Sequence, residues 1–160
     1  MNEALIEKIA ESAELAVLPQ AIPPEYRPLW RIAQIVLILD YCGRKGRCSR
    51  LQLCAISWGL HNSKTRDDLI ALAEERYLAM NDSPLRFDPA LVIAVNIAAA
   101  MQLIQKSGEE YFELTERGRS FSQRLRADTA IFSVDKITLA RVGKSITQAA
   151  LQRYVKDPRL

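Results

Sequence analysis

The order of apolar and polar positions predicts a long helix at the start of the central region. Apolar residues recur at helical spacing from Pro28 to Gly43, and only Arg31, Gln34 and Asp40 interrupt them. Pro28 suits the first position of a helix, and Gly43 suits its end. Because the apolar positions extend well past a single stripe, this helix is expected to be largely buried.

Three further helices are predicted before the period changes. They contain the segments RLQLCAISWGL, DDLIALAEERYLAM and PALVIAVNIAAAM. Asp67 and Asp68 are expected in the first turn of the second helix, where the helix dipole favours negative charge. The predicted capping residues of the three helices are, in chain order, Ser49, Ser63 or Thr65, and Asp88.

A hairpin follows the third of these helices. LIQ and YFELT flank KSGEE, which supplies the glycine that a tight turn requires, and ERGRSFSQRLRAD then returns to helical spacing. The order helix, short strand, helix, inserted helix, helix, hairpin, helix is that of a winged helix with one extra helix before its third. The predicted fold class is therefore mainly α, a winged-helix domain with a short β-hairpin wing, an N-terminal helical arm and C-terminal helices.

Four regions follow from these elements. Residues 1–17 are predicted to form an N-terminal amphipathic helix, residues 18–27 a proline-rich linker, and residues 28–127 the winged-helix domain. Residues 128–160 are predicted to form a C-terminal helical extension. Residues 129–142 stay open between helix and strand, because IFSVDKITL suits either.

Composition places the chain among compact cytoplasmic proteins. It has 160 residues, 49% of them hydrophobic, and its net charge of +3 is too small to indicate nucleic acid by itself. No apolar run approaches the ~18 residues of a membrane span, and the N-terminus is acidic where a secretory signal would be basic. Three cysteines at irregular spacing indicate reduced thiols in a cytosol.

The residue types that catalysis or metal binding requires are missing or badly spaced. The chain has one histidine, His61, and neither a nucleophile motif nor a glycine-rich phosphate loop. Cys42, Cys48, Cys54 and His61 could form a zinc set, but five, five and six residues separate them, against about two to four within a usual ligand pair. We therefore expect that the protein is not an enzyme and binds neither a metal ion nor a cofactor.

Two basic segments and one acidic stripe supply the candidate binding residues. RKGRCSR and ERGRSFSQRLR could contact phosphate without reading sequence, although a solvated turn or a seat for an acidic partner would show the same pattern. The candidate phosphate contacts are Arg44, Lys45, Arg47, Arg50, Arg117 and Arg119. The candidate partner-interface residues are Glu3, Glu7, Glu11, Glu14, Trp58 and His61.

The two tryptophans are predicted to differ in role, although both lie on apolar helices. Trp30 is expected in the core. Trp58 is expected to be half-exposed and to face a partner, because Ser57, Gly59 and His61 around it are too polar or too small for a deep interior.

The helix from Pro89 to Met101 raises the question of what it binds. In a winged-helix DNA reader this element would lie in the major groove, where Arg, Lys, Asn or Gln reads the bases. It offers Asn96 alone, and the hairpin turn KSGEE has a net charge of −1. A helix that is apolar all round needs cover on its second side, from the extra helices of this chain or from another protein. The pattern favours a protein-binding scaffold.

Four segments, PLWRIAQIVLIL, GRCSRLQLCAISWGLHN, LRFDPALVIAV and YFELTERGR, carry a resemblance that spans about residues 28–126. They resemble the middle component of bacterial ABC-three-component systems, which include the Lamassu type of anti-phage defence. In that family the component is a small winged-helix accessory subunit, encoded beside an ATPase similar to the structural-maintenance-of-chromosomes proteins.

The resemblance implies a non-catalytic subunit that contacts the ATPase and an effector subunit and assembles or restrains that effector. Weak, sequence-independent contact with DNA stays open. Two alternatives also stay open: a winged-helix transcriptional regulator that binds DNA through RKGRCSR, and a free-standing dimeric adaptor. An ATPase gene beside this one would favour the accessory subunit, and a divergent promoter would favour the regulator.

Overall fold

The computed structural model describes residues 27–74 and 88–156, and this part of the chain is mainly helical with a small antiparallel sheet. None of the helices in these two ranges is long and apolar enough to cross a bilayer. The elements are α1 (Pro28–Cys42), β1 (Arg47–Ser49), α2 (Arg50–Gly59), α3 (Ser63–Ala73), α4 (Pro89–Ala100), β2 (Ile104–Ser107), β3 (Tyr111–Leu114), α5 (Glu116–Ala127), α6 (Ser133–Val142) and α7 (Gln148–Lys156).

Helix α1 is the centre of the fold, which confirms the burial predicted from its apolar pattern. Residues 31–39 are buried without a break, and α1 packs against α2, α4, α5 and α6 and against β1 and β3. Pro28 stands in its first turn, where a missing N–H removes no helical hydrogen bond. Complete burial of each Ile, Leu or Val side chain contributes about 1.5–3 kcal/mol relative to exposure.

The three strands form one antiparallel sheet in the order β1-β3-β2. Arg47 pairs with Glu113 between β1 and β3, and Ile104 pairs with Leu114 between β2 and β3. The predicted hairpin is confirmed, and Gly108 in its turn has a φ of 76°, a conformation that glycine adopts without strain. The sheet is therefore small, and its central strand is the second strand of the hairpin.

The helix starts are set by side-chain caps, and one of them differs from the prediction. Asn62, and neither Ser63 nor Thr65, caps α3: its side chain accepts from Thr65 N–H at 3.0 Å, while Thr65 Oγ1 accepts from Asn62 N–H at 3.1 Å. Asp67 and Asp68 consequently lie beyond the first turn of α3. Asn62 is the cap because its pair with Thr65 gives hydrogen-bond acceptors to two backbone N–H groups at once.

The predicted caps of α2 and α4 are confirmed. Ser49 and Gln52 form a reciprocal capping box at the start of α2. Asp88 accepts from the N–H groups of Ala90 and Leu91 at 3.0 and 3.3 Å, at the start of α4. Each such cap contributes about 1 kcal/mol by giving acceptors to N–H groups that have no partner within the helix.

Of residues 129–142, which the sequence left open between helix and strand, residues 133–142 form helix α6. Phe132, immediately before it, has a φ of 54°, which is unusual for a large side chain. Its ring is buried, and its centroid lies 3.9 Å from that of Trp30. Packing of the two rings across α1 and α6 offsets the ~1–2 kcal/mol that a left-handed residue other than glycine costs.

Two of the three polar residues that interrupt the pattern of α1, Arg31 and Gln34, are buried and hydrogen-bonded. Arg31 donates to Ser57 Oγ at 3.1 Å, and its Nη2 lies 3.2 Å from Asp88 Oδ2. Gln34 donates to Asp135 Oδ2 at 3.1 Å, and the same carboxylate lies 3.4 Å from Arg66 Nη2. These contacts connect α1 to α2, α3, α6 and the start of α4, since a buried polar group must find partners inside the protein.

Candidate functional site

Helix α4 presents an apolar face to solvent. Leu91, Ala94, Val95 and Ala98 are buried on its inner side, whereas Val92 and Ile93 are 46% and 56% exposed, and Met101, which directly follows the helix, is 38% exposed. Among the described residues, the C-terminal helices leave these three side chains exposed, so cover of this side by another protein stays a prediction.

The chemistry of this face is unsuited to nucleic acid. Asn96 is exposed there, and α4 carries no charged side chain. Large exposed apolar side chains grouped on one helix face are typical of protein-binding surfaces. The geometry thus supplies a surface that a second apolar surface could bury.

A second candidate surface begins at the turn between α1 and β1. Arg47 N–H donates to Arg44 O at 3.2 Å, and the two residues between them, Lys45 and Gly46, have φ angles of 58° and 78°. Two positive φ angles in succession are the mark of a type I′ turn, which matches the twist of the adjoining strands. Arg119 Nη1 donates to Lys45 O at 3.2 Å and ties this turn to α5.

Three contacts hold the wall of the protein next to this turn in place. The guanidinium of Arg47 lies over the ring of Tyr111, with its central carbon 4.3 Å from the ring centroid. The hydroxyl of Tyr111 and Gln148 Oε1 are 2.6 Å apart, which joins β3 to the start of α7. Gln52 Nε2 donates to Ile146 O at 2.7 Å and holds the preceding loop against α2.

Between the turn and α7 lies a cleft of about 740 Å³. The cations that line it are Arg44, Lys45, Arg47 and Lys144. The side chains of all four are exposed, and none forms a salt bridge with a carboxylate among the described residues. The structure thus gathers three of the predicted phosphate contacts and adds Lys144.

Nothing in the sequence around Lys144 indicates that it lines the cleft. It follows Gly143 in the loop between α6 and α7, and it reaches the cleft because α7 docks on β3 and α2. About a hundred residues of chain separate it from Arg44. Only the tertiary fold places it there.

The other predicted phosphate contacts are distributed differently. Arg50 lines a neighbouring hollow together with Lys106, Glu109 and Glu110, where the charges largely cancel. Arg119 touches the basic turn, as described above. Arg117 is exposed on α5 two positions earlier, and two helical positions are about 200° apart, so it projects away from Arg119.

Two of the predicted partner-interface residues can be located. Trp58 is half-buried on α2, as expected, and His61 is exposed just after that helix. Their role in binding a partner stays a prediction. Glu3, Glu7, Glu11 and Glu14 lie outside the described residues, as do the N-terminal helix, most of the linker and the segment between residues 75 and 87.

The three thiols are held in their protonated form. Burial raises the pKa of Cys42 and of Cys48 to about 12, and it also raises the pKa of Cys54, which is half-buried. A protonated thiol is a poor metal ligand and a poor nucleophile. No group of three or more His, Cys, Asp or Glu side chains in the described ranges could hold a metal ion.

Comparison with known proteins finds no match to this chain among family models, characterised proteins or solved structures.

Proposed function

We propose that this protein is a non-catalytic accessory subunit with a winged-helix fold, which assembles or restrains an effector on an ATPase similar to the structural-maintenance-of-chromosomes proteins. The proposed setting is bacterial anti-phage defence of the ABC-three-component type, which the four resembling segments imply. The protein would then act by binding two partners and would perform no chemistry of its own.

The winged-helix part of the proposal rests on element order and strand order. A helix, a strand and further helices precede a hairpin, and the first strand pairs with the second strand of that hairpin. In this arrangement α4 occupies the position of the recognition helix and α3 is an insertion. Helix α5 then closes the fold against α1.

The observation that carries the functional part is the exposed face of α4. A recognition helix that exposes Val92 and Ile93, is followed directly by the exposed Met101 and carries no charge is better suited to an apolar protein surface than to base edges. Apolar side chains at the centre of an interface supply much of its binding energy. We therefore assign the partner-binding role to this face.

The experiment is co-expression of the full chain with the products of the neighbouring genes, followed by affinity purification of the complex. The variant Val92→Glu/Ile93→Glu places two charges on the α4 face. Because both side chains are already exposed, we expect its melting temperature to stay close to that of the wild type while the complex is lost.

A matched control uses exposed apolar residues elsewhere. Val134 and Ile137 on α6 are 54% and 71% exposed, so Val134→Glu/Ile137→Glu makes the same chemical change at another place. We expect this control to retain the complex. Retention of the complex by the α4 variant, or its loss in the α6 control alone, would contradict the assignment to α4.

The cationic turn favours one other function, a winged-helix transcriptional regulator. Such a protein would protect one defined operator from cleavage in a footprinting experiment, and Asn96→Ala would weaken that protection. We expect no protected site, because Asn96 is the only polar side chain on the face of α4.

A further inference from the structure

A group of cations that form no salt bridge with the other described residues lies outside the α4 surface. Arg44 and Lys45 come from the turn after α1, Arg47 from β1, and Lys144 from the loop before α7. Four cations from three separate places in the chain therefore line one cleft of about 740 Å³. Helix α4 contributes no residue to the lining of the cleft. Binding of a ligand in the cleft therefore does not depend on the proposed partner-binding role of α4.

The acidic content of the cleft is low and already engaged. Glu113 is its one carboxylate among the lining residues described, and Glu113 Oε1 accepts from Gln105 Nε2 at 2.6 Å, on the neighbouring strand. This hydrogen bond draws the carboxylate toward β2. The cleft thus has a net positive charge, and low-dielectric walls concentrate the resulting field.

Two of the four cations, Lys45 and Arg47, are held by contacts within the protein. The type I′ turn fixes the backbone of Lys45, and Arg119 holds its carbonyl oxygen at 3.2 Å. The guanidinium of Arg47 lies over Tyr111, so its face is covered while the N–H groups at its edge stay available. Such an arrangement is typical of arginines that donate to phosphate oxygens.

The shape of the cleft selects among anionic ligands. A pocket for a small metabolite buries most of the surface of its ligand, whereas here the side chains of all four cations are exposed. An acidic peptide would need apolar anchors in addition to charge, and the ring of Tyr111 is already covered by Arg47. A chain of phosphates lying along an open basic cleft fits both observations.

We propose that the cleft between the α1–β1 turn and the start of α7 binds the phosphodiester backbone of a nucleic acid without reading its sequence. Lys144 and Arg44, together with Lys45 and Arg47, are the contacting residues. Contacts of this kind release counterions, so the affinity falls steeply as salt concentration rises.

The test is fluorescence anisotropy of the full chain with a labelled random-sequence duplex at several salt concentrations between ~50 and ~200 mM. For four contacts we expect the logarithm of the association constant to fall with the logarithm of salt concentration with a slope of about −3 to −4. The variant Arg44→Glu/Lys144→Glu should reduce the magnitude of this slope by about two.

The control variant Lys64→Glu/Ser133→Glu/Val134→Glu makes the same change in net charge at exposed positions in the first turns of α3 and α6, outside the cleft. Glutamate is favourable in a first helical turn, so this variant keeps the fold. We expect it to retain the wild-type slope. Equal losses in the two variants would show that net charge alone is responsible and would overturn the assignment to the cleft.

Two competitors identify the ligand class. Unlabelled single-stranded DNA should displace the duplex, because both carry phosphodiesters, whereas polyglutamate at equal charge should displace it far less. Displacement by polyglutamate as effective as that by DNA would overturn the proposal in favour of an acidic protein ligand. Absence of any binding by the wild-type chain at the lowest salt concentration would overturn it outright.

Discussion

The buried carboxyl group of Asp135, where α6 packs against α1, shows how burial changes the titration of an acidic side chain. It accepts from Gln34 and lies 3.4 Å from Arg66, yet removal from water dominates and raises its pKa above the ordinary 3.8. The folded protein therefore binds this proton more tightly than the unfolded chain does. The resulting contribution to stability is present below pH ~3.8 and is lost as pH rises through the pKa of the folded state.

The first prediction at this scale concerns the pH dependence of stability. In Asp135→Asn the position no longer titrates, so the stability of the variant relative to wild type should increase as pH rises from about 3.8 through the folded pKa. Urea denaturation at a series of pH values measures this difference. Parallel stability curves for the two proteins would contradict the dominance of desolvation at this carboxyl group.

The tryptophans give a second prediction. Trp30 packs against the core and against the ring of Phe132, whereas Trp58 is not among the described partly buried side chains that pack on the core. Trp30→Ala should destabilise the fold by about 3 kcal/mol, the low end of the usual range because the side chain is partly exposed. Thermal denaturation should show a clearly smaller loss of stability for Trp58→Ala than for Trp30→Ala. The co-expression experiment should show weaker partner binding for Trp58→Ala.

The result for Trp58 separates two roles. A Trp58→Ala protein that melts as low as Trp30→Ala would show that Trp58 is a structural residue. A protein that melts near the wild type and still forms the full complex would remove Trp58 from the partner interface. Either outcome leaves the assignment to the α4 face to be judged by its own variant.

At the scale of elements, the hairpin and α5 meet at one point of close approach. Thr115 N–H and Oγ1 donate to Leu103 O at 3.2 and 3.1 Å, and a Cβ added to Gly118 would lie 1.9 Å from the same oxygen. Glycine is required there because the first turn of α5 rests directly on the backbone at the start of β2.

The prediction is that Gly118→Ala destabilises the protein by at least ~1–3 kcal/mol. Alanine is better than glycine in a helix by about 1 kcal/mol, but a 1.9 Å approach is far inside contact distance, so displacement of α5 outweighs this gain. Urea denaturation measures the effect. Ser120→Ala, at an exposed position of the same helix, is the control and should change stability by less than ~0.5 kcal/mol.

Elements governed by neighbouring residues could be predicted from the sequence. Three features depend only on residues that are close in sequence, so the sequence is enough to predict them. They are the apolar pattern of α1, the caps Ser49 and Asp88, and the glycine of the hairpin. The cap of α3 was missed because Asn62, Ser63 and Thr65 are all capping residue types. The choice among them depends on a reciprocal pair that forms only with one geometry.

The candidate surfaces could be predicted only in part. The uncharged face of α4 and the basic turn are local features, and both are visible in the sequence. The cleft is different, because Lys144 comes to line it beside Arg44 and Arg47 only when α7 is docked on the sheet. Nor does periodicity show that Arg31 and Gln34, in the middle of an apolar helix, find buried partners on α2 and α6.

At the scale of the whole molecule, α1 organises everything around it. Its buried side chains contact elements from the immediately following strand to α6, and its polar residues connect it to helices on several sides. The α4 face and the basic cleft are therefore both built around the same central helix. Each surface can be altered at exposed positions without a change in that helix.

The central position of α1 also has a consequence for synthesis. Gln34 and Asp135 are 101 positions apart, and Cys42 contacts Leu139 on the same side of α1. At a translation rate of about 5–20 residues per second, α1 leaves the ribosome about 5–20 s before α6 does. During that interval the side of α1 that carries Gln34 and Cys42 lacks the cover that α6 later supplies, so a nascent-chain chaperone could bind there first.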